Sequence, residues 1–203
     1  MFSNIRLWHK VVICDMYKLL TAREKVRVPP AKFGMDINAA IKESLQEQVE
    51  GRLEPDIGIL LAVTDILNVS EGEIVPEDGA IHYTAEFQVL TFVPEVNEVV
   101  LGEVVDVTAF GAFVRIGPMD ALAHVSQVMD DKVTYNEKGA ILVGKKTGAK
   151  LQQGAVVRAR VASVSLGKGG RSKIALTMRQ PTLGVLEWIE KDKRSKKKEE
   201  GKK

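Results

Sequence analysis

The segment from Gly102 to Ser126 constrains the fold of this chain more than any other stretch. It combines short apolar runs with glycines, and it places Phe110 and Phe113 on either side of Gly111. Short runs of this kind, separated by turn residues, are typical of the strands of a small β-barrel. In such a barrel the two rings either pack in the core or stand on an open face, where a nucleic-acid base can stack on them.

The net charge of +2 hides an asymmetry between the two halves of the chain. Residues 16–96 contain 7 Lys and Arg against 14 Asp and Glu, whereas residues 97–189 contain 12 against 8. Nucleic acid is attracted to basic surfaces and repelled by acidic ones. The composition therefore predicts two domains with different tasks, of which the second is the candidate nucleic-acid binder.

Composition also argues against several classes of protein. The one cysteine, Cys14, excludes a disulfide framework within the chain and fits a reducing, cytoplasmic setting. No run of 18 apolar residues occurs, so we expect no membrane partner. The histidines His9, His82 and His124 lack the spacing of metal ligands, and no catalytic constellation can be placed. We therefore expect no metal, no cofactor and no catalytic residues.

The acidic half predicts an α+β domain made of a strand, a helix and a hairpin. Alternating residues up to Val28 predict a half-buried strand, which two prolines end. Residues 58–69 and 80–93 predict the two hairpin strands, the first of them buried. Asp36 is placed to cap a helix whose apolar face carries Ile37, Ala40, Ile41, Leu45 and Val49.

The basic half, residues 96–189, contains the short strands that predict a small β-barrel. Polar residues 129–151 interrupt it, and we expect a loop or an extra hairpin there, outside the barrel. Residues 190–203 are too polar to pack a core and are expected to be disordered. Residues 1–15 do not continue any pattern, so they form a candidate N-terminal extension, with Met16 as a candidate natural start.

Eight residues of the basic half are candidates for contacts to nucleic acid. Aromatic rings can stack on bases, and basic side chains can neutralise phosphates. Each candidate has an ordinary alternative as a core ring, a structural histidine or a solvated surface cation. The candidates are Phe110, Phe113, Arg115, His124, Arg158, Arg160, Arg171 and Lys173.

Several spaced motifs between about Val96 and Arg179 resemble a known module. They are Phe-Gly-Ala-Phe-Val at 110–114, Leu-Ala-His-Val-Ser at 122–126 and Lys-Ile-Ala-Leu-Thr-Met-Arg at 173–179. Together they resemble the ribosomal-protein S1 RNA-binding module, a five-stranded OB barrel. The resemblance implies that Phe110 and Phe113 stand on the open face of the barrel.

The order of the two halves resembles one family from about Met16 to Glu190. In the first half the resemblance is carried by Val-Arg-Val-Pro-Pro at 26–30, Leu-Leu-Ala-Val-Thr-Asp-Ile at 60–66 and the loop at 72–79. The barrel motifs continue it in the second half. The family is the large stalk subunit of archaeal RNA polymerase, the counterpart of the seventh subunit of eukaryotic polymerase II.

The resemblance implies a non-catalytic protein with a division of tasks. The tip domain, residues 16–95, docks on the polymerase core subunits, and a small helical stalk partner subunit packs along both domains. The barrel, residues 96–189, holds single-stranded nascent RNA near the exit path without reading its sequence. The stalk also helps to recruit a general initiation factor and supports initiation, processivity and termination.

The loop that joins the two hairpin strands is the candidate docking site, and an ordinary solvated loop is the alternative. Its carboxylates, together with Glu71, are expected to pair with basic residues of the core. The alternative function for the whole chain is an S1-domain RNA-binding factor in translation or RNA processing. The candidate docking residues are Gly72, Glu73, Ile74, Val75, Pro76, Glu77, Asp78 and Gly79.

Overall fold

The computed structural model of the chain describes residues 16–76, 78–167 and 172–191, together with the backbone of residues 6–12. The chain divides into two compact units between Pro94 and Glu95. Strands dominate both units and helices are few. The α+β class predicted from the sequence is therefore confirmed.

The first unit consists of an antiparallel sheet and one long helix, as the predicted strand, helix and hairpin require. Its elements are β1 (Arg6–Val12), β2 (Tyr17–Val28), α1 (Ile37–Val49), β3 (Leu53–Glu54), β4 (Gly58–Val69), β5 (Glu73–Ile74) and β6 (Ile81–Phe92). In the sheet the order is β1–β2–β6–β4–β3, and β5 also pairs with β6. The two long strands β4 and β6 form the hairpin that carries the candidate docking loop.

The helix begins where the sequence predicts it. The carboxylate of Asp36 accepts hydrogen bonds from the backbone N–H groups of Asn38 and Ala39, at 3.1 and 3.3 Å. An N-cap of this kind is worth about 1 kcal/mol. The helix buries one face against the sheet, and the buried residues are Ala40, Ile41, Ser44, Leu45 and Val49.

Two details of the first unit differ from the sequence prediction. Ile37 is 60% exposed rather than buried, because it lines an open groove with Phe33 and Met35. Strand β4 has the predicted bounds, but only its first half is buried, and Leu67 is exposed. Register shifts against β6 interrupt the alternation of the second half, so its apolar side chains do not all face the core.

Residues 6–12, within the candidate N-terminal extension, form a strand that the sequence did not predict. Their backbone forms β1, which pairs antiparallel with β2 and shifts register between Leu7 and His9. Pairing with an edge strand needs backbone hydrogen bonds and no particular apolar pattern. The sequence pattern therefore gave no signal for this strand.

The second unit is a closed barrel with an inserted sheet. Its elements are β7 (Val99–Thr108), β8 (Gly111–Ile116), β9 (Met119–His124), α2 (Val125–Val128), β10 (Val133–Asn136), β11 (Ile141–Gly144), β12 (Lys150–Leu151), β13 (Val156–Leu166), β14 (Ser172–Thr177) and β15 (Gly184–Val185). A last helix, α3, covers residues 186–191. Five strands close the barrel in the order β14–β9–β8–β7–β13, because β13 also pairs with β14.

Alternation along the barrel strands separates the core from the outer face. On β8, Ala112, Val114 and Ile116 are buried, whereas Phe113 and Arg115 point outward. The predicted loop or hairpin at 129–151 is a three-stranded sheet in the order β10–β11–β12. The predicted disordered tail, residues 190–203, begins in helix α3, which includes residues 190 and 191, and its residues from 192 onward lie outside the described residues.

Candidate nucleic-acid interface

Two phenylalanine rings meet at one end of strand β8. Phe110 precedes the strand and is 51% exposed, and Phe113 lies within it and is half-buried. Their centroids are 5.9 Å apart, and the ring planes cross at 88°. An edge-to-face pair of this kind holds each ring in a fixed orientation. The structure thus places Phe110 on the surface and supports it from below with Phe113.

A glycine lets the neighbouring strand approach the rings closely. Gly111 pairs with His124 on β9, and a Cβ atom at position 111 would lie 2.3 Å from the backbone oxygen of Ala123. No real Cβ tolerates that distance, so only glycine fits there. The close approach places His124 in register beside the two rings. We call Phe110, Phe113 and His124 the aromatic face.

The exposed His124 uses one ring nitrogen to cap a helix, and its other ring nitrogen is left for another partner. Its Nδ1 accepts a hydrogen bond from the backbone N–H of Ser126 at 3.3 Å and lies 2.9 Å from the hydroxyl of the same residue. His124 thereby caps the short helix α2. Because Nδ1 is the acceptor, the proton of the neutral ring resides on Nε2. That N–H is chemically able to donate to a phosphate or to a base.

Arg115 follows the aromatic face along β8, but its charge is already compensated. Its Nε lies 2.9 Å from Oδ1 of Asp120, the residue opposite it on β9. The hydrogen bonds to Asp120, and a weaker attraction from Glu103, raise the pKa of the Arg115 guanidinium above its usual value. A phosphate at Arg115 would have to compete with Asp120.

The other basic candidates do not gather around the aromatic face. Arg158 and Arg160 on β13 pair with Leu101 and Val99, at the start of β7, whereas Gly111 pairs with Thr108 at its end. Seven residues of extended strand between those levels span about 23 Å. The predicted contacts therefore fall into separate groups on the barrel.

Two basic candidates remain, Lys173 and Arg171. Lys173 is exposed on β14, two residues before Ala175, which pairs with Leu122 of β9. Lys173 thus lies towards the Asp120 end of β9, away from His124. Arg171 lies outside the described residues.

The candidate docking loop presents apolar side chains. Strand β5 within it pairs with the start of β6, with Ile74 opposite Ile81. Ile74 is 77% exposed and Val75 is also exposed. These two adjacent aliphatic side chains present apolar area whose burial against a partner would be favourable.

Two carboxylates of this loop have partners within their own domain. The carboxylate of Asp78 accepts two hydrogen bonds from Arg27, at 2.7 and 2.9 Å, and lies 2.9 Å from Nε2 of His82. The contacts with Arg27 and then His82 lower the pKa of Asp78 far below its usual range. Glu73 forms an ion pair with Lys25 at 3.4 Å. Both charges are compensated within the domain, and Glu77 lies outside the described residues.

An apolar groove that the sequence did not predict lies beside this loop. Phe33, Met35 and Ile37 line it together with Ile81, the residue paired with Ile74. The groove has a volume of about 300 Å³. The only sequence signal was the apolar pair just before the helix cap Asp36, outside the periodic face of the helix.

Comparison with known protein families agrees with this division into two domains. The model of the SHS2 domain found in the N terminus of Rpb7p/Rpc25p/MJ0397 matches residues 23–79, and the model of the S1 RNA binding domain matches residues 93–168. The fold and its surfaces thus define a two-domain protein in which an SHS2 domain precedes an S1-type OB barrel. Similar proteins show to which family of such two-domain proteins the chain belongs.

DNA-directed RNA polymerase subunit Rpo7 of Saccharolobus shibatae is 45% identical over 180 residues, which cover 88% of this chain and 100% of the relative. The Rpo7 subunit of Sulfolobus acidocaldarius is 38% identical over 87% of this chain and 97% of its own length. DNA-directed RNA polymerase II subunit RPB7 of Saccharomyces cerevisiae is 30% identical over 55% of this chain and 66% of its own length. The chain belongs to the Rpo7 family of DNA-directed RNA polymerase subunits, as the resemblance of its motifs predicted.

A solved structure also resembles part of this chain. The solution structure of GSP13 from Bacillus subtilis covers 43% of this chain and 57% of its own at 30% identity, with a TM-score of 0.32. Within the residues that the structure describes, no helix has the length and apolar character to cross a membrane.

Proposed function

We propose that this chain is a non-catalytic stalk subunit of RNA polymerase that binds nascent single-stranded RNA on its aromatic face. The observation that carries the proposal is the exposed ring of Phe110, fixed against Phe113 beside His124, on the S1 domain of a chain of the Rpo7 family. Proteins that bind single strands combine such rings with positive charge.

The proposed binding is tolerant of sequence. Every base has a π face that can stack on Phe110, and stacking contributes about 1–3 kcal/mol per base. The exposed His124 and Lys173 supply donors that suit any phosphate. Holding the transcript in this way raises its local concentration at the exit path of the polymerase.

The tip domain, residues 16–95, is the proposed attachment to the polymerase core. Docking uses the loop 72–79, and the exposed Ile74 and Val75 supply the apolar contact. Since Asp78 and Glu73 are paired within the domain, the attraction does not depend on those two charges. Residues 1–15 and 190–203 flank the two working domains.

The remaining partners follow from the family. A small helical stalk subunit packs along both domains, and a general initiation factor is recruited through the assembled stalk. In this role the chain supports initiation, processivity and termination in the cytoplasm. The alternative, an S1-domain factor in translation or RNA processing, lacks an explanation for the SHS2 domain.

Affinity purification of a tagged copy from its own cells tests the proposal. We expect the large polymerase subunits and the small stalk subunit in amounts close to that of the tagged chain. A copy in which residues 74–76 are replaced by Gly-Ser-Gly serves as the control, and it should retain only the small subunit. Recovery of ribosomes or of an exoribonuclease, with no polymerase, would contradict the proposal.

A further inference from the structure

A cleft in the second unit is used by none of the contacts assigned so far. Its volume is about 880 Å³, within the range of ligand sites in proteins. Three segments line it: the turn before β12, the residues that lead into β13, and the start of α3. Lys150, Gln152 and Trp188 are among the side chains in its wall.

The aromatic wall of this cleft is built rigidly. Trp188 is half-buried, and Gly184 lies against its ring. A Cβ atom at position 184 would lie 3.1 Å from Cε3 of the indole, and the glycine has a φ of +112° that other residues rarely adopt. The backbone at position 184 therefore packs directly against the indole, with no room for a side chain between them.

Lys150 lines this cleft together with Glu187, and Lys145 and Lys146 directly precede the lining residue Thr147. Lys145, Lys146 and Lys150 are exposed, and within the described part of the chain no carboxylate forms an ion pair with any of them. The nearby Asp131 accepts hydrogen bonds from the backbone N–H groups of Lys146 and Thr147, at 2.7 and 2.9 Å. These bonds fix the turn and leave the three ammonium groups to other anions. Arg115, by contrast, is held by Asp120.

The cleft lies within reach of an RNA strand that occupies the aromatic face. Met129, which lines the cleft, follows His124 by five residues, so at most about 18 Å of chain separates them. That distance corresponds to about five stacked nucleotides at 3.4 Å each. Single-strand sites on an OB fold extend over about 4–16 nucleotides, so a strand of ordinary site length can reach from the aromatic face to the cleft.

We propose that single-stranded RNA bound on the aromatic face continues into this cleft, where Trp188 stacks a base and Lys145, Lys146 and Lys150 neutralise phosphates. The inference rests on the proposed RNA-binding function and extends the site from the barrel to the inserted sheet. It assigns a function to residues 129–151, which on the evidence of the sequence alone only interrupt the barrel.

The test compares oligouridines of about 4 and about 12 nucleotides, since only the longer one spans both parts of the site. The variant carries Lys145→Gln, Lys146→Gln and Lys150→Gln in the full chain, and the matched control carries arginine at the same three positions. For the 12-mer we expect weaker binding by the glutamine variant and a log–log salt slope about 2 units shallower, from three phosphates at about 0.7 each. Binding of the 4-mer should not change.

Tryptophan fluorescence supplies an independent readout. The chain has two tryptophans, so Trp8→Phe leaves Trp188 as the one reporter. We expect the 12-mer to quench its emission and the 4-mer to leave it unchanged. Equal 12-mer affinity and salt slope in the glutamine and arginine variants, or an unquenched Trp188, would overturn the inference. If neither oligonucleotide binds the unaltered chain, the proposed function itself fails.

Discussion

The substitution Phe110→Leu isolates stacking from packing on the aromatic face. Leucine retains most of the apolar contact with the ring of Phe113, which lies 5.9 Å away between centroids. It removes the flat π surface on which a base would stack. We therefore expect a loss of RNA affinity with little loss of folding stability.

The magnitude follows from the exposure of the ring. One stacked base contributes about 1–3 kcal/mol, so the dissociation constant for single-stranded RNA should rise about 5- to 150-fold. The edge-to-face pair contributes about 0.5–1.5 kcal/mol beyond its buried area. Since Phe110 is already 51% exposed, little buried area is lost, and leucine should lower the free energy of unfolding by no more than about 1.5 kcal/mol.

The assay is fluorescence anisotropy with a labelled oligouridine at 25 °C, with thermal unfolding measured on the same samples. Phe110→Tyr retains the ring and should bind like the unaltered chain. Leu101→Ala removes another exposed apolar side chain at the far end of β7 and should also leave binding unchanged. Unchanged affinity in a folded Phe110→Leu variant, or equal losses in Phe110→Leu and Leu101→Ala, would refute the stacking role.

Three other predictions concern the scaffold and the docking loop. Gly111→Ala forces a Cβ against the neighbouring strand; we expect a loss of about 1–3 kcal/mol and a lower melting temperature. Asp78→Asn should lower the melting temperature at about pH 5, and the difference should shrink as the pH falls below about 4. The reason is that a carboxylate whose pKa is lowered by folding stabilises fully above its unfolded pKa of about 4, and loses that contribution as the pH falls from there towards the folded pKa. Replacing residues 74–76 by Gly-Ser-Gly should abolish binding to stalkless polymerase, whereas Glu73→Gln should not.

Each of these has a control and a contradicting result. Gly34→Ala adds a Cβ with no atom within 4 Å, so it should be neutral in thermal unfolding; an equally neutral Gly111→Ala would show that the strands can separate there. A destabilisation of Asp78→Asn that does not change with pH would contradict the role given to its charge. A loop replacement that still binds the core with the same affinity would place the interface elsewhere.

The sequence predicted those features of the fold that depend on local pattern. Alternation marked the second half of β2, and Asp36 marked the start of α1. Each of these signals lies within a few residues of the feature that it predicts. The bounds of β4, 58–69, were predicted for the same reason.

The features that the sequence did not predict depend on the pairing of strands that are far apart in the chain. Arg27 and Asp78 are 51 positions apart in the chain, and only the pairing of β2 with β6 brings them together. The sequence offered Arg158 and His124 as contacts to the same RNA, but the pairing of β13 with β7 places Arg158 far from the aromatic face. Charge compensation and the grouping of site residues are therefore properties of the sheet, not of the local sequence.

Cross-linking from position 110 in a transcribing polymerase tests the central claim most directly. Phe110 is replaced by photo-reactive benzoylphenylalanine in a stalk reconstituted on stalkless polymerase, and the nascent RNA is radiolabelled. We predict a cross-link to the transcript once it has left the exit path, and none from the same probe at Leu101. Absence of an RNA cross-link from position 110, or equal cross-links from both positions, would contradict the claim that the aromatic face holds the nascent RNA.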